Sequence, residues 1–153
     1  MNEHLTAITR KKPSAPMQML AGSYQLSGRI LDYGCGKGFD ADHFGIERFD
    51  PHFFPVMPEG LFDTIVCNYV LNVIESPETR AVVLRDIVSK LTDNGMAYIT
   101  VRNDVKDLNG RTKRGTWQGL IKLTLPVMRT CADYVTYFLT RKVAIESNWR
   151  FEP

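Results

Sequence analysis

The sequence predicts an α/β fold, a doubly wound and mostly parallel sheet with a C-terminal antiparallel hairpin. Three observations carry that prediction. Residues 28–40 set a short apolar run, Ile30-Leu31, before three glycines at alternate positions, Gly34, Gly36 and Gly38. Glycine loses the most entropy on ordering, so this cluster marks a backbone that turns sharply off a strand end and lets a ligand lie against it. Leu61 to Leu71 is almost continuously apolar and rich in β-branched and aromatic residues, the pattern of a strand buried on both faces. A helical stripe then separates that run from Met96–Val101. Strand, helix, strand in parallel requires a right-handed crossover.

The elements follow in order. Residues 1–16 contain Arg10-Lys11-Lys12, two prolines and few apolar side chains, which predicts a flexible N-terminal arm. Residues 17–153 are long enough for one domain with its own core. Pro16 to Tyr24 reads as a short helix opened by its proline. Arg29–Asp32 is a strand, the glycine loop follows, and Phe39 to Phe44 has room for a turn or two of helix. Ile46–Phe49 is the next strand, ending at Asp50. Pro51-His52-Phe53-Phe54-Pro55 is neither central strand nor helix interior, so it forms a loop at that strand's carboxyl end. Ser76-Pro77-Glu78 supplies an N-cap, a proline for the first turn and an acid at the positive helix end. Val83, Leu84, Ile87, Val88 and Leu91 then recur at helical spacing, and Asp93-Asn94-Gly95 stops the helix with turn chemistry. Residues 102–116 are a long, polar, basic loop. Trp117 to Leu125 alternates as a strand with one apolar face, and Tyr134–Thr140 is another, so Pro126–Asp133 joins an antiparallel pair.

Composition narrows the class. The chain is 44% hydrophobic and 24% charged, ordinary for a globular domain. No apolar run approaches the ~20 residues of a membrane span, and the first residues lack the layout of a secretory signal. Cys35, Cys67 and Cys131 are far apart with no Cys-x-x-Cys pair, as expected of reduced thiols in a cytoplasmic protein. No metal-ligand spacing occurs. Charge is uneven: residues 1–101 carry 9 basic against 12 acidic side chains, net −3, and residues 102–153 carry 10 against 5, net +5. The basic 102–116 loop, with Arg111, Lys113 and Arg114, is therefore a candidate nucleic-acid contact, against the plainer alternative of a solvated face.

The glycine loop reads Asp32-Tyr-Gly-Cys-Gly-Lys-Gly38, an acid followed by G-x-G-x-G, unlike the G-x-G-x-x-G of NAD-type sites. It resembles the first motif of the class I S-adenosylmethionine (SAM) dependent methyltransferases. Leu31–Gly38, Phe49–Pro55 and Tyr69–Glu75 together look like the methyltransferases associated with bacterial DNA phosphorothioation systems and their small phage relatives. The likeness covers residues 28–101 and stops short of the basic loop. It implies a Rossmann-like class I fold, trimmed by a strand, with SAM as cofactor and S-adenosylhomocysteine as product.

What the resemblance implies for residues follows from the cofactor's chemistry. Ribose hydroxyls call for a carboxylate at the end of the second strand, where Asp50 stands beside Pro51; the plainer role for Asp50 is a turn cap. The methionine end would lie along Tyr33, Gly34, Gly36 and Gly38, with Asp32 accepting from the ammonium group or bracing the loop. Asn68 and Tyr69 would sit beside the transferable methyl. Phe53 or Phe54 could stack on the adenine or simply pack. Methyl transfer from a sulfonium depends chiefly on positioning, so a general base is needed only for a protonated nucleophile. His52, Asn68 and Tyr69 are the weak catalytic candidates, and His43 is weaker still. No Asp-Pro-Pro-Tyr or Asn-Pro-Pro-Tyr run and no Pro-Cys nucleophile is present. The methyl acceptor stays open, as does the alternative of a SAM-binding sensor or partner subunit without turnover.

Overall fold

The computed structural model describes residues 3–104, 110–112 and 115–152. In chain order its strands are β1 (Ile30–Tyr33), β2 (Glu47–Phe49), β3 (Phe62–Asn68), β4 (Leu91–Arg102), β5 (Gly110–Arg111), β6 (Trp117–Gln118), β7 (Val127–Thr130) and β8 (Tyr134–Leu139). Its α-helices are α1 (Ala15–Gly22), α2 (Phe39–Phe44), α3 (Pro77–Ser89) and α4 (Arg141–Glu146). The main sheet runs β2-β1-β3-β4-β8-β7. β1 pairs in parallel with β2 and β3, and β3 with β4, whereas β8 is antiparallel to both β4 and β7.

The apolar run of β3 works as its sequence implies. Ile65 and Cys67 enter a core shared with Leu84, Ile87 and Val88 of α3. Val66 enters a second cluster with Met17 and Leu20 of α1 and Tyr98 of β4. Both faces are thus covered, and each fully buried aliphatic side chain contributes about 1.5–3 kcal/mol. α3 starts at its cap, where the Thr79 amide donates to Ser76 Oγ at 3.2 Å. The Asp93-Asn94-Gly95 turn lies inside β4: Phe62 pairs with Leu91 and Thr64 with Met96, so three extra residues loop out there.

The C-terminal third departs from expectation. Trp117 to Leu125 is not a long strand, and only Trp117–Gln118 pairs, with Gly110–Arg111. Ile121, Leu123 and Leu125 are buried as the alternation implied. Their backbone, however, bonds elsewhere. The Leu123 amide donates to the Tyr137 hydroxyl and the Thr124 amide to the Phe151 carbonyl. The hairpin partner of β8 is therefore Val127–Thr130, inside the segment expected to be a connector. After β8, Thr140 caps α4 by accepting from the Val143 amide. Phe151 plugs the core, and Arg80 donates to Glu152. In the basic loop, residues 105–109, Lys113, Arg114 and the side chain of Arg111 lie outside the described residues. No helix is long and apolar enough to cross a membrane among the residues described.

Candidate functional site

β1, β2 and β3 all deliver their carboxyl ends to one edge of the sheet, and the first of them runs straight into the glycine loop. Gly34, Gly36 and Gly38 all hold positive φ, at 78°, 57° and 87°. At Gly34 a Cβ would lie 2.4 Å from Val70 Cγ2, so only glycine fits. The loop turns its amides inward. Gly34 and Cys35 donate to the Phe49 carbonyl, Gly36 to Asp50 Oδ2 and Gly38 to the Cys35 carbonyl. A loop that cradles phosphate presents free amides. This one has them occupied, which leaves carbonyls and carboxylates for the ligand side.

Three carboxyl groups gather behind the loop. Asp50 Oδ1 accepts from the His52 and Phe53 amides and Oδ2 from Gly36, so it welds the loop after β2 to the glycine loop. Asp40, near the start of α2, accepts from the Ser14 amide and hydroxyl at 2.9 and 2.7 Å and anchors the base of the N-terminal arm. Asp32 is 3% exposed. Burial first, then the nearby Asp40 and Asp50 charges, push its carboxyl up from 3.8 to about 8, with Arg10 opposing. A buried carboxyl crowded by two others is a receptor for a cation.

Opposite the loop, Asn68 ends β3 with both carboxamide atoms buried and unpartnered. A buried polar group left unpaired costs about 1–3 kcal/mol, so this amide is poised for something that binds. Tyr69 follows at φ 61°, a left-handed conformation that costs an aromatic residue on the order of 1–3 kcal/mol. Burial raises its phenol to about 12, so it stays protonated and cannot act as a base at neutral pH. The Cys35 thiol is likewise raised to about 12, by burial and then by Asp32 and Asp50.

These groups surround a cavity of about 520 Å³. Asp32, Tyr33, Gly34, Gly36, Gly38, Asp50, Pro51, His52, Asn68 and Tyr69 all line it. Tyr33 does so while its hydroxyl donates to Asp86 Oδ2 on α3, at 2.6 Å. His43 does not line the cavity and packs between Phe39 and Phe44. Phe53 and Phe54 are also outside the lining: the first meets the edge of His52, and the second lies under the Arg48 guanidinium.

The N-terminal arm is the part that sequence reasoning missed. Glu3–Thr6 forms a 3₁₀ turn, and Glu3, His4, Thr6, Ala7, Ile8 and Arg10 form the outer wall of the cavity. His4 stacks on His52 with centroids 3.9 Å apart and planes 11° apart. Lys37 Nζ donates to Thr9 Oγ1, and a Cβ on Gly36 would press on Ala7 at 3.3 Å. The arm's polar sequence carried no signal for this, because these contacts are with residues 36, 37 and 52, far along the chain.

A family model described as a methyltransferase domain matches residues 5–138. No curated protein matches the sequence. Three solved structures are similar in fold. The DhpI–SAM–HEP complex is 10% identical, with 81% of this chain and 86% of that one covered at a TM-score of 0.54. The N-methyltransferase NodS of Bradyrhizobium japonicum WM9, with S-adenosyl-L-homocysteine, is 13% identical, covering 80% and 82% at 0.52. A TehB-like SAM-dependent methyltransferase from Corynebacterium glutamicum is 18% identical, covering 81% and 86% at 0.52. Their likeness establishes the class I methyltransferase fold, with its mostly parallel sheet and C-terminal antiparallel pair. With the family match spanning most of the chain, this protein belongs to the methyltransferase-domain family.

Proposed function

We propose that the chain is a class I methyltransferase that takes its methyl group from SAM and releases S-adenosylhomocysteine. One observation carries the reading. The glycine loop has its amides turned inward, and behind it lies a carboxyl, Asp32, raised first by its burial and then by two neighbouring acids. That is the receptor an α-ammonium group on the methionine end requires. SAM supplies an activated methyl on a sulfonium; the chain's own residues bind, orient and exclude water.

Asp32 and the carbonyls of the loop hold the ammonium. Asp50, already braced by three amides, keeps free lone pairs for the ribose hydroxyls, and Pro51 and His52 border the adenine. Asn68 completes its carboxamide bonding across the reacting end. Arg10, within electrostatic reach of Asp32 and Tyr69, pairs with the carboxylate of the methionine tail. The arm closes the outer wall. The solved neighbours crystallised with SAM or S-adenosylhomocysteine support the cofactor.

Titration calorimetry with S-adenosylhomocysteine tests the cofactor, and transfer of a labelled methyl group by the isolated chain tests turnover. Binding followed by transfer is expected. An absence of binding sinks the reading, and binding without transfer to any acceptor class returns the chain to a sensor or partner role.

A further inference from the structure

Beyond the cofactor cavity lies a second one of about 220 Å³, and Thr6, Ile8, Tyr69 and Val73 line both. The two cavities are thus neighbours across a thin partition made by the arm and by Tyr69. The remaining walls of the second are Arg102, Asp104, Gln118 and Asp133. Tyr69 lines it directly and follows Asn68, which lines the cofactor cavity where the reading above puts the methyl group.

The charges there are not balanced. Arg102 donates to both carboxylate oxygens of Asp104, at 2.9 and 3.0 Å. Each holds the other charged, the carboxyl below its usual range and the guanidinium above it. The pair is neutral as a unit, so the guanidinium is committed and does not attract an anion. Asp133 is exposed and has no side-chain partner among the described residues, so the described lining of this cavity carries one more acidic than basic side chain. Among the described residues, five carboxyl groups besides the raised Asp32 face three cationic side chains across both cavities. Such a lining repels carboxylate, phosphate and nucleic-acid acceptors and attracts cations. The Asn68 carboxamide oxygen, buried and unpaired, is an acceptor for an N–H.

We infer that the second cavity takes a small amine, held at a cationic nitrogen by Asp133 and bordered by the Arg102–Asp104 pair. This rests on the methyltransferase reading. The amine arrives protonated and gives its proton to water through Asp133. Its lone pair then forms the N–CH3 bond as the C–S bond of the sulfonium breaks, so the positive charge passes from sulfur to nitrogen. The acidic walls stabilise that charge where it ends. The volume admits a group of benzylamine size and excludes a folded macromolecular surface.

The test uses the full chain saturated with S-adenosylhomocysteine, with benzylamine, benzyl alcohol and benzoate as calorimetric probes. Labelled-methyl transfer is then run on the same three and on a DNA duplex. The amine is expected to bind and to be methylated in preference to the others. Asp133→Asn, an exposed change that leaves the core intact, should weaken amine binding and raise its KM about tenfold. It should leave S-adenosylhomocysteine affinity unchanged. Asp104→Asn releases the Arg102 guanidinium and should shift preference toward benzoate. The inference is overturned if the amine fails to bind the complex, if Asp133→Asn leaves amine binding unchanged, or if DNA or benzoate is the methylated probe. A failure of S-adenosylhomocysteine itself to bind would instead remove the methyltransferase reading.

Discussion

Asp32 should release a proton when the cofactor binds. In the free protein its carboxyl sits at about 8, so at pH 7 roughly 0.9 of the molecules carry it protonated. An ammonium group placed against it returns the carboxyl toward its ordinary range, and the proton must leave. Calorimetry of S-adenosylhomocysteine binding at pH 7, in buffers of different ionisation heat, should report about 0.9 proton released per site. Affinity should rise about tenfold per pH unit from 6 to 7 and flatten past 8. Asp32→Asn should abolish the release and weaken binding. The sign for stability runs opposite to that of a paired carboxylate. A folded value raised from 3.8 to about 8 means that the native state holds the proton while the unfolded chain loses it. Stability of the free protein therefore falls as pH rises from about 4 to 8. Asp32→Asn removes that loss, on the order of 4 kcal/mol at pH 7. A release below about 0.3 proton at pH 7 would refute the placement of a cation beside Asp32.

Other outcomes follow from the same geometry. Gly34→Ala drives a Cβ into Val70 at a left-handed position and should cost about 2–3 kcal/mol in urea unfolding. Removing residues 1–10 takes away the outer wall of the cavity and should speed S-adenosylhomocysteine dissociation about tenfold or more in stopped flow. Circular dichroism of that variant should be nearly unchanged, since none of the described residues 3–10 is buried. Arg80→Ala strands Glu152, whose side chain is 15% exposed, and the Ile74 carbonyl; a loss of about 3 kcal/mol is expected in thermal or urea unfolding.

Local sequence was most informative where local physics decides. The β3 run, the Ser76 cap and the glycine loop each carry a signal within a few residues, and each forms as read. The region after residue 102 was harder because alternation reports which side chains are buried, not where the backbone bonds. Ile121, Leu123 and Leu125 are buried on schedule, yet the Leu123 amide donates to a tyrosine hydroxyl and the neighbouring Thr124 amide to the Phe151 carbonyl. Phe53 and Phe54 lie outside the cavity lining for a similar reason: an aromatic type says nothing of direction, and here His52 and Arg48 pack against the two rings.

By itself the sequence determined the sheet's core strands, the loop that only glycine can follow and the acids at the ends of the first two strands. These depend on apolar period, on steric limits at single residues and on chain distance along a strand. Only the tertiary structure showed that the loop's amides face inward. It alone set Asp32 among other acids, left Asn68 without a partner and brought residues 3–10 across the cavity. Those are consequences of groups distant in sequence sharing a low-dielectric space, where each charge and each unpaired hydrogen bond is decided by its neighbours.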